Sequence, residues 1–141
     1  QKLGCQERVH FTGLLDRQQI LQAFAAADLL VMPSEPQSEN FGMSAVEAMA
    51  AGLPVLVSDG VPVGRWAVQA GAGRVESCDA QAFARAVAEM LVDPSQLAQM
   101  GANGRALVRE KFEIRAVTRH FLDQFQAITE TGRPLKEVPD A

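Results

Sequence analysis

A chain of 141 residues is long enough to form one domain with its own core. Its hydrophobic fraction of 48% argues against intrinsic disorder. Thirteen Lys and Arg against seventeen Asp and Glu leave a net charge of −4, with no basic stripe and no set of stacking aromatics, which argues against nucleic acid as a partner and against electrostatic attachment to an anionic membrane.

Arg8 to Thr12 reads as a first strand. Asp16 and Gln19 then form a capping-box pair, with Leu15 and Ile20 as a hydrophobic staple, and predict a helix from Asp16 to Ala27 whose Ile20, Leu21 and Phe24 have helical spacing. Asp28 to Met32 predicts a buried strand, and the two prolines in Pro33 to Gln37 require a loop. A helix starting near Gly42 follows. Its small Ala48, Ala50 and Ala51 allow close approach to a sheet, and Gly52 suits the left-handed residue that ends a helix. Pro54 to Ser58 reads as a second buried strand.

Ser58 to Gly64 is a second loop running from a strand to a helix, and Gly60 within it could let backbone amides reach a phosphate. Beyond it the chain predicts a short helix over Gly64 to Gln69, a Gly71-Ala72-Gly73 turn and a brief strand over Arg74 to Glu76. Asp79 can cap a helix with Phe83, Ala86, Val87, Met90 and Leu91 on one face. Asp93-Pro94, with proline at the first helical position, opens another helix running to about Lys111. Ile114, Val117, Phe121, Leu122, Phe125 and Ile128 form a last amphipathic stripe, and residues 129–141 read as a tail. Alternating strands and helices predict an α/β, Rossmann-like, mainly parallel sheet of three or four strands flanked by helices.

Cys5 and Cys78 are far apart and outside any Cys-x-x-Cys pattern, as expected of reduced thiols in a cytoplasmic protein. Neither His10 nor His120 has a partner at metal-ligand spacing, so no metal site is expected and both read as packing or surface residues. No apolar run reaches the roughly 18 residues that a bilayer span needs, and no signal peptide is evident. Trp66, at a probable helix start, reads as a core or edge anchor in preference to a cover for a nucleobase.

The chemistry concentrates between the two central strands. Glu39 falls in the loop at a strand's carboxyl end and Glu47 in the second turn of the following helix, so both can face one crevice, where open α/β sheets bind ligands. A carboxylate accepts several hydrogen bonds and matches the vicinal hydroxyls of a ribose or hexose. The N–H groups of Gly42, Met43 and Ser44 lie at the positive end of a helix dipole, which favours phosphate. Sugar and phosphate together point to a nucleotide sugar. Two glutamates at this spacing would mean little by themselves, since most surface carboxylates are simply solvated. The surrounding residues give them weight.

The run Pro33-Ser34, Glu39-Asn40-Phe41-Gly42 and Glu47-Ala48-Met49-Ala50-Ala51-Gly52-Leu53-Pro54-Val55 resembles the donor-site signature of group 1 (family 4 type) retaining glycosyltransferases, which have the GT-B fold. Val9-His10-Phe11-Thr12-Gly13 followed by a helix and Ala27-Asp28 is similar to the family's preceding strand and helix. Asp93-Pro94, Met100-Gly101 and Gly104-Arg105 are similar to its late helical segment, and the likeness covers roughly residues 8 to 128.

The resemblance implies that Glu39 contacts the hydroxyls of the transferred sugar, as the catalytic-site carboxylate, and that Glu47 contacts the ribose. It also implies that Asn40, Phe41, Gly42, Met43 and Ser44 complete the donor site, with Gly42 giving close access to the diphosphate. No metal or other cofactor is expected, and transfer retains anomeric configuration. Many relatives carry two adjacent glycines and a Pro-Glu step in the second loop, whereas this chain has Gly60 alone and Val63 after Pro62.

The expected organisation is a nucleotide-sugar-binding domain over residues 1–128, the C-terminal domain of a GT-B enzyme without its first βα units. Its partners would be a nucleotide sugar, an acceptor that is a sugar, a lipid-linked sugar or a small molecule, and an N-terminal domain of the parent chain that binds this acceptor. The fragment alone is expected to be inactive. The parent enzyme is expected in the cytoplasm, with the inner membrane face as a compatible peripheral location. Two alternatives are a nonenzymatic nucleotide-sugar-binding module and a GT-B epimerase acting on a nucleotide sugar.

Overall fold

The computed structural model describes residues 4–133. Three parallel strands, β1 (Leu30–Met32), β2 (Val55–Ser58) and β3 (Gly73–Glu76), form one sheet in the order β1-β2-β3. Leu30 to Met32 pair with Val55 to Val57, and Val55 to Ser58 pair with Gly73 to Glu76. The helix α1 (Arg17–Ala26) precedes the sheet. The crossovers are α2 (Met43–Ala51) between β1 and β2 and α3 (Gly64–Gln69) between β2 and β3, while α4 (Ala80–Met90), α5 (Pro94–Leu107) and α6 (Ile114–Thr131) follow.

The central strand explains the core. All four residues of β2 are buried, as expected for a parallel strand covered on both faces. Because side chains alternate along a strand, Val55 and Val57 enter one cluster with Ala45, Ala48, Met49, Ala67 and Leu107, while Leu56 enters another with Phe83, Ala86 and Met90. The fully buried Ala45 and Ala48 are the contact layer that lets α2 lie close, whereas Ala50, expected to share in it, faces outward and is exposed. At its end Gly52 takes φ 90°, and the Arg105 guanidinium donates to the Ala51 carbonyl at 2.8 Å, satisfying one of the terminal acceptors. A Cβ on Gly101 would collide with the Gly52 carbonyl, so α5 can cross the end of α2 only with glycine there.

The caps follow the sequence. Asp16 accepts from the Gln19 N–H at 2.8 Å while the Gln19 side chain accepts from the Asp16 N–H at 2.9 Å, the reciprocal box that opens α1. Asp79 and Asp93 cap α4 and α5, the latter with Pro94 at the first turn.

Three expectations change. Arg8 to Thr12 is not a strand: Gln6–Arg8 form a 3₁₀ turn, and residues 9–12 have no strand partner among the described residues, with Phe11 exposed. An extended segment becomes a strand only where a neighbour supplies a hydrogen-bond ladder. Among the described residues β1 pairs with β2 alone, at the edge of the sheet, and its Val31 is exposed rather than buried. The helix expected to reach Lys111 ends at Leu107 and continues as a π turn, Val108–Phe112, closed by the Glu113 N–H on the Val108 carbonyl at 2.9 Å. The final helix forms as expected and runs to Thr131, with Ile114, Phe121, Leu122, Phe125 and Ile128 on its apolar face exposed. The last eight residues of the expected tail lie outside the described residues.

Candidate functional site

In a parallel sheet the loops after each strand gather at the carboxyl end, where a ligand crevice forms. Here three loops meet there and are fastened together. The buried Ser58 hydroxyl, at the end of β2, donates to the Ser34 carbonyl in the loop after β1. Gly60 backs directly onto Pro36, since a Cβ would lie 2.9 Å from the Pro36 Cα. The Val63 N–H donates to the Phe41 carbonyl at 3.0 Å, and the Asp59 N–H to the Glu76 carbonyl at 2.9 Å. The loop containing Glu39 is therefore held by its neighbours on the sheet.

Gly42 is the hinge from this loop into α2. It is buried, takes φ 96° as the N-cap residue, and a Cβ would stand 2.6 Å from Val61 Cγ1 and 2.9 Å from Val63 Cγ1. Glycine is thus required here by backbone conformation and by packing on the second loop, independently of any ligand.

Glu39 is half-buried, and its Oε1 accepts the Gly42 N–H at 3.3 Å. This bond lies at the long end of the range and uses one of about four acceptor sites, so the carboxylate keeps capacity for hydroxyl donors. Asn40, Met43, Ser44 and Glu47 are exposed. Positions three and four apart share a helix face, so Met43, Ser44 and Glu47 form one outward stripe while Ala45, Val46, Ala48 and Met49 face the core. No Gly42 side chain can cap α2, and the first helical N–H groups, of Met43 and Ser44, have no acceptor one turn back within the helix. The arrangement presents unsatisfied donors at a positive helix end, one carboxylate beside them and another one turn along. It suits a ligand with both anionic and polyol groups.

The Phe41 ring packs into the core side of the molecule, 5.6 Å from both Trp66 and Phe112, so only its backbone faces the start of α2. Gly60 spends its missing side chain on Pro36. Trp66 is a half-buried anchor of that aromatic group, with the Arg65 guanidinium 4.1 Å from its ring centroid. His10 and His120 are both surface residues. Among the described residues no three His, Cys, Asp or Glu side chains are grouped so as to hold a metal ion, and no helix is long and apolar enough to cross a membrane. Sequence reasoning missed the Ser58–Ser34 fastening and Phe112. A polar residue closing a buried strand was a signal for the first, whereas nothing local marked the second.

Residues 1–107 match the family model for glycosyl transferases group 1. The D-inositol 3-phosphate glycosyltransferase of Streptomyces avermitilis is 38% identical over 104 residues, which are 71% of this chain and 21% of that protein. A GDP-mannose-dependent monoacylated alpha-(1-6)-phosphatidylinositol monomannoside mannosyltransferase of Corynebacterium glutamicum is 32% identical over 111 residues, 75% of this chain and 29% of that protein.

Among solved structures, sucrose-phosphate synthase from Thermosynechococcus elongatus superposes with a TM-score of 0.78 at 29% identity, covering 90% of this chain and 32% of that one. Anabaena HepE, solved in complex with UDP-glucose, superposes with a TM-score of 0.74 at 26% identity, covering 89% of this chain and 34% of that one. The chain thus spans between about a fifth and a third of the length of these relatives. With the motif run, the three-stranded parallel sheet and the family match in agreement, the chain belongs to the group 1 glycosyltransferases and corresponds to part of their GT-B fold.

Proposed function

We propose that this chain is the donor-binding part of a retaining hexosyltransferase: it holds a nucleoside-diphosphate sugar for transfer to an acceptor seated on an N-terminal domain of the parent protein. The observation that carries the reading is the placement of Glu39 and Glu47 about the uncapped start of α2, at the carboxyl end of a parallel sheet, in a chain of this family. The UDP-glucose bound by HepE supports a nucleotide sugar as the ligand class.

In this reading Glu47 accepts the ribose hydroxyls, Glu39 accepts hydroxyls of the sugar to be transferred, and the Met43 and Ser44 amides face the diphosphate. Asn40, with the backbone of Phe41 and Gly42, lines the approach. Bond cleavage at the anomeric carbon sends the electron pair to the diphosphate oxygen. Donors preset at a helix start stabilise that developing charge without having to reorganise. Glu39, beside the sugar, orients it for attack by the acceptor on the face that preserves configuration. Gly60 contributes by letting the second loop close on Pro36, which sets the depth of the crevice. The parent enzyme works in the cytoplasm, and a lipid-linked acceptor would bring it to the inner membrane face.

The test is a calorimetric screen of uridine, guanosine and adenosine diphosphates and their hexose conjugates against the full-length protein, followed by turnover with the donor that binds. Binding of one nucleotide sugar, competed by its free diphosphate, is the expected result. A full-length protein that binds none of them refutes the reading.

A further inference from the structure

The π turn between α5 and α6 places one side chain that the family match, ending at residue 107, does not reach. At 3.6 residues per turn, a residue five positions on lies roughly 140° around a helix, so a regular continuation of α5 would swing Phe112 well away from the face of Leu107. The wider turn brings it back. Leu107 is buried in the same cluster against which Phe112 packs. π turns of this kind are single, locally unfavourable insertions that concentrate at functional sites.

Phe112 meets Phe41 edge-on, with centroids 5.6 Å apart and planes at 75°, and Trp66 at 6.0 Å and 88°. Phe41 and Trp66 lie 5.6 Å apart, so the three rings close a triangle. Phe41 is also the residue whose carbonyl holds the Val63 N–H and whose C-terminal neighbour, Gly42, starts α2 and donates to Glu39. The triangle therefore grips the backbone step from which the proposed donor contacts project.

We propose that Phe112 is a positioning residue for the donor site, acting through Phe41 on the Glu39–Gly42 step, a role that rests on the donor reading above. The π turn supplies the register that makes this contact. Phe112 touches no substrate; its effect is to fix where the Gly42, Met43 and Ser44 amides and the Glu39 carboxylate stand before a ligand arrives. Edge-to-face aromatic pairs contribute enough beyond burial that losing them should weaken ligand binding by about three- to tenfold.

The experiment compares the full-length protein with its Phe112→Ala, Phe112→Leu and Phe112→Tyr variants by amide hydrogen exchange, then measures uridine, guanosine and adenosine diphosphate affinity in the same four proteins. In Phe112→Ala, and in Phe112→Leu should the first fail to fold, the Val63, Ala45 and Val46 amides should exchange at least about tenfold faster relative to the β2 amides, since their acceptors are Phe41 and Gly42. Phe112→Tyr should restore both protection and affinity. Uniform acceleration across β2 and the α2 start, or Leu performing as well as Tyr, would show generic packing and overturn the proposal, as would unchanged affinity in a variant whose Val63 amide is loosened. A wild-type protein that binds none of the diphosphates overturns the donor reading, and the positioning role with it, while the exchange pattern still decides whether Phe112 holds the Phe41 step.

Discussion

Replacing Gly42 by alanine tests the claim that the loop bearing Glu39 is held by the second loop. Alanine at φ 96° carries the left-handed backbone penalty, about 1–2 kcal/mol. The new methyl also lies 2.6 Å from Val61 Cγ1 and 2.9 Å from Val63 Cγ1, both on buried valines, and overpacking of this kind costs about 1–3 kcal/mol. The combined loss is about 2–5 kcal/mol, a large part of the roughly 5–15 kcal/mol that holds a domain together. Gly71→Ala is the control. Gly71 has φ 64°, and its Cβ would meet only the Asn103 amide, at 3.2 Å, the far end of a side chain that can move. Its cost should stay near the backbone penalty alone. Urea unfolding measures both, and Gly42→Ala should lower the midpoint clearly more than Gly71→Ala. Equal losses would mean that Val61 and Val63 do not press on Gly42 and that the two loops are not mutually braced. Val61→Ala added to Gly42→Ala should recover part of the steric term, because it removes the nearer of the two methyl contacts.

Further outcomes are expected. Glu47→Ala should weaken nucleoside diphosphate binding by about 1–3 kcal/mol, the scale of hydrogen bonds to charged groups, and unchanged affinity by calorimetry on a folded variant would count against the ribose role. Glu39→Ala should reduce affinity for the intact sugar donor more than for the free nucleotide, and equal losses would contradict that division. Gly101→Ala should destabilise by about 1–3 kcal/mol in urea unfolding, because the added carbon would collide with the Gly52 carbonyl oxygen, a backbone atom. The Ser95 hydroxyl and the N–H groups of Gln96 and Ser95 hold the Asp93 carboxyl below its ordinary range. A depressed folded-state pKa adds stability above the unfolded value and loses it as pH falls through the folded one. The thermal stability gap between wild type and Asp93→Asn should therefore narrow on acidification from neutral pH through the carboxylate range, and a gap independent of pH would show that the charge contributes nothing.

Much of the architecture was legible because local chemistry and final environment agree. Asp16, Asp79 and Asp93 cap helices through their own side chains and immediate neighbours, so their positions could be read directly. Val55-Leu56-Val57 is apolar throughout because both of its faces are covered, and that pattern is written in consecutive residues. Helix α3 has the predicted bounds, Gly64–Gln69. The first expected strand failed for the opposite reason: Val9-His10-Phe11 has the right composition, but pairing depends on a neighbour that no local pattern can supply. The stripe on α6 likewise predicts the helix but not its surroundings, since Ile114, Phe121, Leu122, Phe125 and Ile128 are exposed.

By itself, the order of residues determined the alternation of strands and helices, the caps, the buried centre and the two glutamates on either side of a helix start. These depend on contacts within a few positions or on a periodicity that short windows carry. Only the tertiary structure decided that Gly42 and Gly60 are glycines for the sake of Val61, Val63 and Pro36, that Phe41 turns its ring inward, and that a π turn brings Phe112 onto it. Each of these is a contact between segments distant along the chain or a change of helical register. Such features arise from how packed elements compete for the same space, which no window of sequence contains.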